Sequence, residues 1–136
     1  MILNWELETP DSGDHQTPYD LHCSGWLHLE GGNGWIDSMV LFCGTHPIGR
    51  SRTFFRRPDV AAHLGIDPEA CTGFRLYGNG SHVVEPTRNP LTMSIAYRLH
   101  GEDEYRPLGY FTVRVVDRPD GARNDPYGKL LDRQHA

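Results

Sequence analysis

The chain has 136 residues, 38% of them hydrophobic, with 15 glycines, 10 prolines and a formal charge of −5. That is one domain's length at about 150 residues per domain, with apolar material for one core and too much of it for a wholly disordered chain. No apolar run approaches the ~20 residues of a membrane-spanning helix, and the first ten residues show neither the basic nor the apolar segment of a secretory signal.

The negative excess sits in the first twenty residues, where Glu6, Glu8, Asp11, Asp14 and Asp20 meet no Lys or Arg. The rest of the chain is balanced. A neutral body lacks the basic footprint that nucleic-acid binding needs. Three cysteines, Cys23, Cys43 and Cys71, in a chain without an export signal read as reduced, buried thiols of a cytoplasmic protein.

Residues 1–20 read as an acidic arm with a short edge strand at 2–7. Residues 21–29 alternate with Leu21, Cys23, Gly25, Leu27 and Leu29 on one parity, and a glycine-rich turn at 31–34 follows. Residues 35–43 form a nearly continuous apolar run, the pattern of a central strand. Gly44 and Thr45 make a tight turn into a strand at 46–52. Pro58 then stands at a first helical position and Gly65 at a helix C-terminus, which predicts a short helical turn over 58–64.

Strand signals resume at 73–77 and at 92–100, where Met93, Ile95, Tyr97 and Leu99 share one face. An acidic tip at 101–104 leads into 108–116, with Phe111, Val113 and Val115 facing inward. Residues 118–136 have a linker composition and an apolar tail at 127–131 suited to docking on a neighbour. Short strands with a turn every 8 to 12 residues predict an all-β antiparallel domain over 21–117, a sandwich in preference to a small barrel.

The landmarks Gly25-Trp26, an aliphatic strand ending at Gly44, Arg57-Pro58-Asp59-Val60-Ala61 and Gly73-Phe74 follow a familiar order. Over residues 21–77 the chain resembles an immunoglobulin-like accessory domain found beside bacterial glycosyltransferase and methyltransferase domains. The resemblance implies an immunoglobulin-like β-sandwich that is not itself an enzyme. Any catalysis would belong to a protein partner or fused domain.

The chemistry-bearing residues agree with a non-catalytic reading. His22, Cys23, His28, Cys43, His46 and His63 show no paired ligand spacing for zinc, so neither a metal nor another cofactor is expected. No serine sits in a nucleophile elbow. A Cys43/His46 dyad across the hairpin turn is the residual argument for a small β-fold enzyme. Arg50 and Arg52 share a strand parity and, with Arg56 and Arg57, form the one basic cluster, which balances charge within the chain or presents a face to an anion, a phosphorylated sugar or the acidic arm 1–20. Trp5 and Trp35, with Trp26 and Tyr77, Tyr97, Tyr105 and Tyr110, are the aromatics that a carbohydrate-binding module would use, although Trp26 and Trp35 also fit core positions. A saccharide is therefore the alternative partner, with neither nucleic acid nor membrane expected.

Overall fold

The computed structural model describes residues 2–10, 15–83 and 90–116. Nine strands and one helix follow in chain order: β1 Leu3–Thr9, β2 His15–Gln16, β3 Leu21–Leu29, β4 Ile36–Cys43, β5 His46–Ser51, β6 Phe55–Arg56, α1 Pro58–Leu64, β7 Cys71–Gly78, β8 Leu91–Leu99 and β9 Arg106–Val115. The linker and tail expected at 118–136 lie outside the described residues.

The strands form a four-stranded sheet ordered β1-β3-β7-β6 and a five-stranded sheet ordered β2-β9-β8-β4-β5, the latter curled into a half-barrel. Every pairing is antiparallel except the two-residue β2–β9 contact, which is parallel and corrects the wholly antiparallel expectation. The Gln16 side chain holds β2 to β3 at the same point, a link that sequence periodicity could not reveal. Its amide donates to the His22 carbonyl at 3.0 Å and its oxygen accepts from the His22 N–H at 2.9 Å. Its own carbonyl accepts from Val116 N–H at 3.0 Å. One buried glutamine thus links β3 of one sheet to the end of β9 in the other.

A shared core lies between the sheets. Leu21, Cys23, Leu27, Phe74 and Leu76 come from one layer, and Met39, Leu41, Met93, Ile95, Phe111 and Val113 from the other. Each fully buried aliphatic or aromatic side chain is worth about 1.5–3 kcal/mol. The inward sets of β3, β8 and β9 are those their alternation predicts.

The motif residues are explained by packing. Gly25 pairs with Phe74, and Trp26 with Gly73, so each glycine stands opposite an aromatic on the neighbouring strand. A Cβ at Gly73 would lie 2.7 Å from the Phe55 ring carbon Cδ2. On α1, Pro58 occupies the first turn, Val60 and Ala61 are buried, and Gly65 closes the helix at φ 69°.

Two expectations are corrected here. Trp35 does not begin the central strand; it ends a 3₁₀ turn, Asn33–Trp35, and is 60% exposed. The Asn33 side chain closes that turn by accepting from Leu29 N–H at 2.9 Å and donating to the carbonyls of Leu27 and Cys71 at 2.8 and 2.9 Å. The strand consequently starts one residue later, at Ile36. Nor are all three thiols buried: Cys23 and Cys43 are, but Cys71 is exposed because Thr72, Phe74 and Leu76 take the inward parity of β7.

Candidate functional site

The outer face of the five-stranded sheet departs from the usual alternation. Positions that point away from the core should be solvated and polar, yet Ser38, Val40 and Ala96 are 0, 1 and 6% exposed. Tyr105, just past the acidic hairpin tip, crosses this face. Its hydroxyl lies 3.0 Å from Ser38 Oγ. The guanidinium carbons of Arg50 and Arg98 lie 5.6 and 5.3 Å from its ring centroid. Arg98 is in turn anchored to Asp37, Nη2 to Oδ2 at 3.3 Å. Cation–π contacts of this kind contribute from about 0.5 to 2 kcal/mol as they lose water. Tyr105 is therefore clasped between two arginines from β5 and β8.

Beside the clasp runs a groove of about 620 Å³, with walls of Phe42, Ala96, Tyr105, Pro107 and Tyr110 and with Ser94 at its floor. The sheet register builds it. Phe42 pairs with Ser94 and Ser94 with Tyr110, so the two rings flank a small residue in one row across three strands. At 4.7–4.9 Å per strand, their Cα atoms stand roughly 10 Å apart. The next row holds Arg50, Val40, Ala96 and Pro107. A register shift between Ile95 and Ala96 displaces the β9 strand there, and Tyr110 is left 78% exposed. Apolar walls with a few polar groups are the usual make-up of a ligand site.

Of the basic and aromatic residues singled out from the sequence, Tyr105 and Tyr110 line this groove, and Arg50 reaches its edge through the Tyr105 ring. Arg52 is exposed but lies beyond the end of β5. Trp5 is 39% exposed on β1, and its ring covers Gly109 of β9, where a Cβ would come within 2.6 Å of Cη2. It closes a corner between the sheets. Trp35 stands apart on its turn. Tyr105 and Tyr110 were visible only among all the aromatics, and Phe42 was read as part of a core strand. Its parity, opposite to that of Met39, Leu41 and Cys43, is the signal that places it outside.

Arg57 is closed by carboxylates. Nη1 and Nη2 meet Glu8 Oε1 and Oε2 at 2.5 and 3.0 Å, and Nε and Nη2 meet Asp59 Oδ1 and Oδ2 at 2.9 and 2.8 Å. The fork ties β1 to the start of α1 and leaves little of it for a ligand. Hydrogen bonding to Arg57 holds the Glu8 carboxyl below its ordinary range and brings that of Asp59 down to about 2. A carboxyl depressed by folding stabilises the fold above its unfolded pKa, and that contribution disappears as pH falls through the folded value. Stability from this cluster is thus complete above about pH 4.5 and lost toward pH 2. In urea titrations from pH 5 to 2, Glu8→Gln is expected to flatten the acid-side loss relative to wild type; parallel profiles would refute the linkage.

The Cys43 and His46 end of the β4–β5 hairpin carries a different chemistry from a thiolate site. Burial pushes the Cys43 thiol up, and Cys23 reaches about 12, whereas a nucleophilic cysteine needs its pKa lowered. Among the described residues, no three His, Cys, Asp or Glu side chains gather to hold a metal ion. No described helix is long and apolar enough to cross a membrane. No protein-family model, curated protein or solved structure matches the chain.

Proposed function

We propose that the chain is a non-catalytic accessory module of the immunoglobulin-like β-sandwich type, working beside a glycosyltransferase or methyltransferase to which it is fused or bound. Its working surface is the groove on the outer face of the five-stranded sheet. The observation that carries this reading is the groove lining, which offers three aromatic rings, two of them phenols, with a proline and the Ser94 hydroxyl but no carboxylate, imidazole or thiol. Such a surface can hold a ligand by stacking and hydrogen bonding. The Gly-Trp, Arg-Pro-Asp-Val-Ala and Gly-Phe landmarks support the association with an enzyme.

The test is kinetic. The chain alone should turn over neither nucleotide sugars nor a sulfonium methyl donor. Supplied with a glycosyltransferase or methyltransferase that it binds, the chain should lower the KM for the acceptor with little change in kcat, the signature of binding shared by ground and transition states. Tyr110→Ala should remove that benefit, whereas Tyr77→Ala, exposed on the other sheet, should keep it. Turnover by the isolated chain, or identical acceptor kinetics with and without it, would overturn the reading.

A further inference from the structure

We infer that the groove takes an acidic saccharide, a sugar chain bearing carboxylate groups, with pyranose faces on Phe42 and Tyr110 and its anion toward Arg50. This deepens the reading of that face as a binding surface and rests on it. Three features select the ligand chemistry. Phe42 and Tyr110 flank Ser94 in one register row, which gives two rings to stack on and a hydroxyl between them to exchange hydrogen bonds with ring substituents. Flat aromatic faces suit the C–H faces of a sugar ring, while the hydroxyls at its rim require polar partners such as Ser94 and the flanking Thr92 and Thr112, which pair with each other one row further along.

Charge gives the third feature. Four described arginines close onto carboxylates: Arg56 on Glu69, Arg57 on Glu8 and Asp59, Arg98 on Asp37, and Arg106 on Glu102. Arg50 meets no carboxylate among the described residues; its contact is the Tyr105 ring at the groove. Arg114, four residues beyond Tyr110 on the outward parity of β9, is exposed and likewise meets none. The acidic tip residues Asp103 and Glu104 lie at the opposite end of β9. Arg50, in the row beside Phe42–Ser94–Tyr110 on the side of the hairpin tip, and Arg114, on the far side of that row, thus flank the rings, and an anionic chain gains charge complementarity at its two ends. A guanidinium pre-positioned over a ring presents its donor fork at little further cost in rotamer freedom.

The test is titration of the chain with a galacturonic acid hexamer, followed by amide chemical shifts, with a neutral cellohexaose and a glutamate hexapeptide as comparison arms. The galacturonate hexamer should shift amides around residues 42, 94 and 110 and bind more tightly than either comparison ligand. Its affinity should fall with added salt. Tyr110→Ala and Arg50→Gln should each weaken it about tenfold, the equivalent of about 1.4 kcal/mol, while Tyr77→Ala leaves it unchanged. Binding of the glutamate peptide as tight as that of the galacturonate hexamer would assign the face to charge alone and overturn the inference. Equal or tighter binding of cellohexaose would overturn its acidic part. An acceptor KM benefit that persists while none of the three ligands binds would remove this inference and leave the accessory role standing.

Discussion

Truncating Phe74 to alanine is expected to cost about 3–5 kcal/mol, the largest single effect in this chain. Phe74 is 0% exposed at the centre of β7 and belongs to the cluster formed by both sheets. Its removal forfeits the transfer free energy of a whole ring and leaves a cavity that the neighbouring strands cannot close. Domains of this size hold about 5–15 kcal/mol in total, so the variant should be largely unfolded at modest urea concentrations. Urea midpoints at constant slope measure the loss. A loss below about 1 kcal/mol would mean that the layers do not meet around this ring.

Gly49→Ala is expected to be nearly as damaging for the opposite reason. Here β5 of one sheet passes against β7 of the other, and a Cβ at Gly49 would overlap the Tyr77 carbonyl oxygen and lie 2.8 Å from its carbon. Ordinary overpacking costs about 1–3 kcal/mol, but in this case the obstacle is backbone and cannot rotate away. The cost should reach or exceed the upper end of that range. Gly34→Ala is the matched control, because nothing lies within 4 Å of its added methyl and its φ is not positive. It should stay within about 0.5 kcal/mol of wild type. Equal midpoints for the two variants would mean that β5 and β7 cross with room for a methyl group between Gly49 and the Tyr77 carbonyl.

The strands were legible in the sequence wherever one face is apolar over several residues. β3 spans the residues that its alternation predicts, and α1 spans the residues marked by Pro58 and Gly65. β2 and β6 are two residues each and are held by pairings that no periodicity records, through the Gln16 side chain in one case and beside Gly73 in the other. The candidate site was less legible. Arg50 stood out as a charge on a strand, but its neighbour is Tyr105, 55 positions along the chain, brought there by the β8–β9 hairpin. From sequence the arginine cluster reads mainly as charge balance within the chain, with the acidic arm as one occupant; the fold specifies the partners, Glu8 of that arm and Asp59 filling the Arg57 fork.

The Arg50–Tyr105–Arg98 clasp also bears on the company the molecule keeps. Val40 and Ala96 form an apolar strip on the outside of a sheet, the kind of surface on which identical chains stick to one another and precipitate. A single phenol ring, pinned from two strands and by the Ser38 hydroxyl, roofs that strip without adding a further layer to the fold. Colloidal behaviour and the shape of the neighbouring groove are thereby set by the same side chain, so drift at position 105 would be restrained by solubility as well as by recognition.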